Sequence, residues 1–555
     1  NRHGEDVFLL KAVGVKGEMK MEKLVFKKEV WVKFYAKLWE GKEDRPEIRE
    51  LDMPYAISRC KGMAQFVYSR KQKRLRLSLE EDVKMEGNGA TIECQKMDAH
   101  LLQSKEEKRL EIEWIEARGN VVFQDGQRDV KNQATADEFR MDKEGEKTTL
   151  SLRRNPVVQV HDLEDFTVLP PKVKKQLQKE QSRRQFTSLE GKCKKEIRWI
   201  REKNGNSGQW EETFEFSRQV YLKQTAEKIK LLTLECEESR LALKMAENRR
   251  RKPAWLTAEG NVIIHHEKGQ GKGGFFKWEK GEGKEYRLFL KENPSLYLED
   301  VESGGMMGKD LFSLENQKKA TAKKAEDILV TAVDPMVMEV KQEGGGSKFE
   351  YRAQKNVRLV RYDAVTRRET GNLTSDTLSL VAASRPEGPA PSEKPEKKEN
   401  LPGAEKLDIH SLEAKGNVVF SGDGIEGRGN VLKFRQMNGK NFLSLSEDCW
   451  IKNEQGKLVA NEIVYHGDKE AFRANGSPVR LFSKEMKAEG KSLYYFKKDD
   501  RLLLVGELAY VEHLDRHGQK KDSLEARRIY YWRSSGRMRA QERVKIGRAS
   551  CRERV

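Results

Sequence analysis

The sequence predicts an all-β, elongated protein made of repeated, mostly antiparallel units. Three observations lead there: short apolar stretches alternating at period two between Gly, Asn and Pro, one eight-residue sentence that recurs three times, and an apolar content of 36% matched by a charged content of 36%. A compact globule carries a richer apolar share, so 555 residues of this composition imply several units and much surface.

The recurring sentence is EARGNVVF over Glu116–Phe123, TAEGNVII over Thr257–Ile264 and EAKGNVVF over Glu413–Phe420. Its glycines, Gly119, Gly260 and Gly416, lie 141 and 156 residues apart, so each repeat is itself a small domain. Upstream, an apolar-alternating stretch carries an acidic residue, Asp98, Glu238 or Asp376, which precedes the glycine by 21, 22 and 40 residues. The excess in the third copy matches the Pro/Glu/Lys-rich stretch 384–404, which cannot bury apolar surface and is expected to be a disordered loop between two strands. Downstream, Thr149–Leu152 is followed by Asn155–Val160 and Arg287–Leu290 by Asn293–Leu298, whereas the third copy has Phe442–Leu445 and Cys449–Ile451 without the Asn-Pro. Further strands are expected at Leu458–Tyr465, Pro478–Phe482, Ser492–Phe496, Leu502–Val505 and Arg528–Trp532.

The chain thus divides into the end of an upstream unit (1–56), a first unit (57–165), a charged spacer (166–190), a second unit (191–301), a second charged spacer (302–327) and a third unit with a C-terminal extension (328–546). The last residues, 547–555, read as a non-native, adapter-like tail. The chain begins at Asn1, not Met, so the sequence leaves open whether a start codon and an export signal or anchor lie upstream. No stretch of the sequence is long and apolar enough for a membrane-spanning helix.

With 108 Lys+Arg against 90 Asp+Glu the formal charge is +18, and the two signs are interleaved. That balance attracts anionic partners in general without choosing among nucleic acid, phospholipid and phosphorylated glycolipid. Six widely spread cysteines show neither a CxxC pair nor zinc spacing. Cys94 and Cys236 fall at similar places in two copies and read as small buried strand residues. Gly269–Gly274 has the glycines of a phosphate-cradling loop but no helix after it, and reads as a hairpin turn. Neither His265–His266 nor the His513/His517 pair has a context for metal binding, and no nucleophile elbow, Walker or zinc-protease motif occurs. No catalytic residue, metal or cofactor is expected.

The sentence A-x-G-N-V, followed by alternating apolar residues, a turn, an aromatic-containing strand and an L-x-L strand, resembles the OstA-like domain of LptA- and LptC-type lipopolysaccharide-transport periplasmic proteins. The resemblance covers 57–160, 197–300 and 328–546. It implies twisted, V-shaped antiparallel β-jelly rolls, open along one side, with acyl chains in the apolar interior. Side chains at i and i+2 of a strand share a face, so Val121 with Phe123, Val262 with Ile264, and Val418 with Phe420 are the candidates for a lipid groove. The Gly-Asn before each pair suits a sharp turn at the strand's start. Arg118, Arg140 and Lys415 are candidates for phosphate contact at the rim.

The first reading of function is a non-enzymatic carrier of lipopolysaccharide or a related glycolipid across the periplasm of a Gram-negative-type bacterium. It would pair edge strands with other OstA-like or Lpt components and touch membranes through partners or a missing N-terminal anchor. The second is a structural or adhesive envelope protein with closed rolls and no cargo. The third, a basic nucleic-acid-binding protein, ranks last because interleaved charges and the lack of a binding module do not suit it; nucleic acid is not an expected partner.

Overall fold

A computed structural model describes residues 8–12, 23–27, 29–34, 36–37, 56–69, 71–87, 89–103, 110–127, 130–163, 187–204, 208–226, 229–245, 251–266, 269–281, 285–302, 326–343, 346–384, 407–422, 424–437, 440–467, 471–514 and 517–548. Among the described residues there are 34 β-strands and one 3-10 turn, Lys497–Asp499. The protein is all-β. Most of the two charged spacers, the loop expected at 384–404 and residues 549–555 of the expected tail, Cys551 included, lie outside the described residues. Gly547 and Arg548 of that tail belong to the strand Lys545–Arg548.

Many strands run well beyond the usual five or six residues. Leu110–Gln127 and Gly346–Asp363 each have 18, and Trp210–Ala226 has 17. Such lengths are possible because the strands bend midway. At the bend, seven of the described strands carry two successive residues at positive φ: Glu81 and Asp82 (64° and 47°), Gly119 and Asn120 (79° and 49°), Arg218 and Gln219 (64° and 51°), Gly260 and Asn261 (75° and 47°), Lys355 and Asn356 (58° and 52°), Gly416 and Asn417 (78° and 47°), and Glu447 and Asp448 (65° and 51°), whereas Ala471–Ser483 and Arg501–Leu514 shift register without such a pair. The pairing register shifts at the same level, for instance between Glu80 and Val83 against Lys96 and Cys94, and between Lys415 and Val418 against Val431 and Gly429. These are β-bulges, and within each unit they mark a corner. The Gly-Asn pairs therefore do not open their strands, as expected, but bend them in the middle. Arg154-Asn155 and Glu292-Asn293 make the same bend, completely enough to separate Lys147–Arg153 from Val157–Leu163 and Tyr286–Lys291 from Ser295–Glu302.

Gly416 shows why glycine is needed at this corner. Its φ of +78° is costly for a side chain, and a Cβ there would run into the Asp376 carboxylate of the neighbouring strand. Gln95 covers Gly119 and Glu237 covers Gly260 in the same way. The residues equivalent to Asp376 are thus Gln95 and Glu237 rather than Asp98 and Glu238, because contact over the glycine, not charge, defines the position.

By contact density the chain forms two units: Asn1–Leu169 with Lys175–Glu267 and Phe275–Lys280, and Pro170–Lys174 with Lys268–Gly274 and Gly281–Val555. In each, the bent strands contribute their two arms to two half-sheets that meet at the corner. In the first unit one half-sheet contains Lys147–Arg153, Glu196–Lys203 and the N-terminal arm of Trp210–Ala226. The other contains Val157–Leu163, Thr187–Lys192 and the C-terminal arm. Their inner faces meet: the Phe123 ring lies 5.6 Å from Phe139 and 6.0 Å from Trp199 on the opposite half-sheet. Each such aromatic contributes roughly 1.5–3 kcal/mol by burial. Outer faces carry cross-strand ion pairs such as Lys96–Glu80 at 2.7 Å and Arg153–Glu196 at 2.9 Å.

Opposite the corner, the free ends of the half-sheets are joined at three places by short parallel pairings. These link Ala36–Lys37 to Leu110–Glu111, Leu163 to Arg251, and Val301–Glu302 to Leu407–Asp408. The third is in the second unit. At these levels the mouth of the V is bridged by backbone, and each bridge uses the strand that carries a Gly-Asn bend. In the second unit, Gly269–Lys272 is a strand segment paired with Ser295–Leu298, not the expected hairpin turn. The carbonyl of Tyr297 passes too close to Gly269 to admit a Cβ.

Gly416→Ala is expected to lose about 2 kcal/mol or more in urea unfolding, from backbone strain plus the clash with Asp376. Gly424→Ala, at φ +79° with open space around it, should lose only the backbone share of about 1 kcal/mol.

Candidate functional site: the roll interior and its C-terminal mouth

All six groove candidates face the interior. Val121 and Phe123 are 1% exposed, Val262 1%, Ile264 8%, Val418 0% and Phe420 3%. They sit on the C-terminal arms of the three Gly-Asn strands, just past the bend. Their surroundings are filled: the Phe420 ring lies over Gly427 so closely that no Cβ fits there, and Phe123 stacks on Phe139. The three rim candidates stand on outer faces, each paired with a carboxylate two residues along its own strand. Arg118 meets Glu116 at 2.7 Å, Arg140 meets Asp142 at 2.8 Å, and Lys415 meets Glu413 at 3.3 Å. Such exposed pairs are worth at most about 1 kcal/mol.

Beside two of the parallel bridges the interior turns polar, which the sequence did not show. In the first unit the bridge residue Arg251 binds the fully buried Glu212 through Nε at 2.6 Å and Nη2 at 3.3 Å. Arg201 approaches the same carboxylate at 4.0 Å and lies 5.1 Å over the Trp210 ring. Burial pushes the Glu212 carboxyl up, but the two guanidinium charges outweigh it and hold it below its ordinary value. Gln224, fully buried, occupies the facing half-sheet. Six residues past its own bend, Arg361 takes the corresponding place in the second unit. Its guanidinium is 1% exposed and donates to Glu326 at 3.2 and 3.3 Å, with Gly371 and Gly422 leaving it room.

The C-terminal part of the second unit differs. Past the bridge at Leu407–Asp408 no further parallel pairing is found among the described residues, and a cavity of about 310 Å³ opens between the half-sheets. Its apolar wall includes Ile451, Leu458, Phe472, Leu481, Leu502 and Tyr531. Leu458 and Leu481 come from one half-sheet, Phe472 and Leu502 from the other. The rim carries Glu454, Gln455, Lys484, Glu485 and Arg533. The Arg533 Nη2 donates to the Gln455 side-chain oxygen at 3.2 Å, a link across the mouth made by side chains instead of backbone. Burial, with Glu485 nearby, pushes the Tyr531 hydroxyl up, so it stays protonated. Neither Phe472 nor Arg533 stands out in sequence, because nothing there shows where the backbone bridges stop.

The described cysteines line the corner. Cys60, Cys94, Cys193, Cys236 and Cys449 are all buried, at or next to a register shift or strand break. The thiols lie against nearby backbone carbonyls: Cys449 Sγ is 3.4 Å from Leu445 O and 3.2 Å from Ala460 O, and Cys193 Sγ donates to Glu196 O at 3.2 Å. Ser375 takes the same place in the third copy, its hydroxyl donating to Thr377 O at 3.0 Å. Among the described residues no cluster suits a metal ion and no helix is long and apolar enough to cross a membrane.

No protein-family model matches this chain, and no curated protein matches it. Among solved structures it is similar to LptH, the LptA-homologous periplasmic component of the lipopolysaccharide transport device of Pseudomonas aeruginosa. Identity is 15%, the match covers 25% of this chain and 85% of that one, and the TM-score is 0.14. That likeness is too slight to carry an argument about family or function.

Glu212→Leu strands two buried cations and is expected to cost about 3–5 kcal/mol in urea unfolding, whereas Arg201→Met/Glu212→Leu/Arg251→Met together should recover most of that loss. The Glu212 contribution is present above the ordinary carboxyl pKa of 4.5 and disappears as pH falls through its lower folded value, so the stability gap between wild type and the triple variant should narrow in acid. Burial pushes the thiols of Cys94, Cys236 and Cys449 up to about 12. Alkylation at these positions should therefore stay slow up to about pH 9 in folded protein and become fast in urea, as read by peptide mass spectrometry.

Proposed function

We propose that this protein binds an amphiphile, lipopolysaccharide or a related glycolipid, through acyl chains held between its half-sheets, and acts by binding rather than catalysis. The observation that carries this is the cavity at the C-terminal mouth, apolar within and charged at its rim, which is the arrangement an amphiphile needs. Each methylene buried there contributes about 0.8 kcal/mol. The resemblance of the Gly-Asn repeats to the OstA-like domain supports the same substrate class. A periplasmic location and conveyance toward the outer membrane follow from that reading. So do partners of the OstA-like or Lpt type: the strands Arg537–Gln541 and Lys545–Arg548 pair only with Lys520–Trp532 among the described residues and leave an edge for a like module. Membrane contact would then come through such partners or an upstream anchor.

A second reading has its own observation. The interior around Val121, Phe123, Val418 and Phe420 is filled, and two bridges are reinforced by buried ion pairs. This favours a structural role for the repeated copies, with cargo confined to the C-terminal part.

A photo-crosslinking residue at Phe472, with the outward-facing Arg473 as control, is expected to capture purified lipopolysaccharide at Phe472 alone. Capture at Phe420 as well would extend the groove into the repeats. Capture at none of the three, in protein with a native unfolding profile, would make the closed structural reading the better one.

A further inference from the structure

In the second unit, the half-sheet that holds Phe472 and Leu502 changes character on its outer face. Up to Leu407–Gly422 that face carries ordinary ion pairs, such as Arg287–Glu339 at 3.2 Å and Arg352–Glu350 at 3.3 Å. From Ile425–Met437 to Arg537–Gln541, eight successively paired strands, it presents arginines and aromatic rings side by side. In register, Arg435 stands opposite Phe442, Arg473 opposite Tyr494, Arg501 between Phe496 and Trp532, Arg537 opposite Trp532 and Arg539 opposite Tyr530. Their strand neighbours Leu443, Leu493 and Ile529 are buried, so these side chains point outward. The rings are half-buried, and every arginine of the group except Arg501 is exposed. Eight strands spaced by ~4.8 Å make a band about 34 Å long, in two rows ~7 Å apart. We propose that this band docks on the surface of an anionic phospholipid bilayer, an inference that goes beyond the amphiphile reading and does not depend on the cavity.

Charge is the first reason. Among the described residues, the carboxylates that answer these five arginines are Glu462, 3.8 Å from Arg473, and Asp499, 3.4 Å from Arg501, so the band keeps a positive excess. The outer face of the opposing half-sheet is balanced instead, with Lys452–Glu426 at 3.8 Å, Arg480–Glu489 at 3.1 Å and Lys487–Glu512 at 3.9 Å. The second reason is the company the arginines keep. The Tyr530 and Trp532 rings lie side by side with centroids 6.2 Å apart, and the Arg501 guanidinium stands 4.9 Å above the Phe496 ring. Tyr and Trp rings sit at head-group level in bilayers, and guanidinium groups pair with the phosphates there. Val464 and Leu503 complete the rows, and Met437, 57% exposed, extends the apolar surface at the tip of its arm. The third reason sets a bilayer above a glycan or a nucleic acid. Sugar hydroxyls and base edges are read by amide and carboxylate side chains, and the two rows contain no Asn, Gln, Asp or Glu. Phe472, Leu502 and Tyr531, the next residues along the same arms, line the cavity, so a bilayer on this band lies beside the C-terminal mouth.

The test is flotation of the full chain with vesicles of phosphatidylcholine alone or with about 30% phosphatidylglycerol. At about 0.1 M salt the protein should float with the anionic vesicles and stay behind with the neutral ones, and about 1 M salt should release it. Arg537→Gln/Arg539→Gln, two exposed positions, should weaken binding about tenfold at an unchanged unfolding midpoint. Lys452→Gln/Arg480→Gln removes the same charge from the outer face of the opposing half-sheet and should change binding by no more than about twofold. Equal flotation with neutral vesicles, unchanged binding of the folded Arg537→Gln/Arg539→Gln protein, or an equal loss in the Lys452→Gln/Arg480→Gln protein would each overturn the proposal. Binding of oligodeoxythymidylate through Arg537 and Arg539 without flotation would also overturn it and assign the band to a nucleic-acid strand. Lipopolysaccharide capture at Phe472 is read separately, so the failure of either reading leaves the other standing.

Discussion

The two-residue left-handed bend is the constraint on which the rest depends. A long antiparallel strand has no reason to fold back on itself, and a pair of residues at positive φ supplies one at a known cost in backbone strain. Within each unit, repeating the pair on successive bent strands divides them into two arms, and the two facing half-sheets and the mouth where the arms end follow from that division. Gly-Asn is the commonest pair at the bend, with Glu-Asp, Lys-Asn and Arg-Gln serving at other strands. Next to register shifts and strand breaks, buried thiols and a serine donate to backbone carbonyls.

A mouth between two half-sheets exposes strand ends and apolar surface together, and each unit closes its own in more than one way. Short parallel backbone pairings do so at three levels. Beside two of them the interior is polar, with guanidinium groups matched to buried carboxylates at 2.6 and 3.2 Å. Such pairs contribute little net stability compared with an apolar core, but they are costly to break singly and exclude hydrocarbon from that space. The cavity lies where, among the described residues, the parallel bridges stop and a side-chain link between Arg533 and Gln455 is found.

That distribution separates the two leading functional readings spatially instead of choosing one for the whole chain. The interiors around the Gly-Asn strands are filled, whereas the cavity lies in the C-terminal part of the second unit. The three cations singled out by sequence are taken up by carboxylates on their own strands, and Arg533 at the cavity rim is shared between the Gln455 side-chain oxygen and the Asp500 carboxylate.

The sequence by itself determined the all-β class, the strands at Leu458–Tyr465 and Ser492–Phe496 and the inward direction of Val121 and Phe123, because alternation at period two and the left-handed tolerance of Gly-Asn are local properties written in neighbouring residues. It also showed that Cys94 and Cys236 occupy matching places. Only the tertiary structure decided that Gly119, Gly260 and Gly416 bend their strands instead of starting them, since Glu81-Asp82 and Arg218-Gln219 make the same bend with no shared letters. It alone decided that Gly269–Lys272 pairs as a strand and that Arg251 finds Glu212. It alone revealed a cavity beneath Arg533. Those outcomes depend on which strand ends meet across the mouth, sometimes 78 residues apart, and no local pattern encodes contact at that separation.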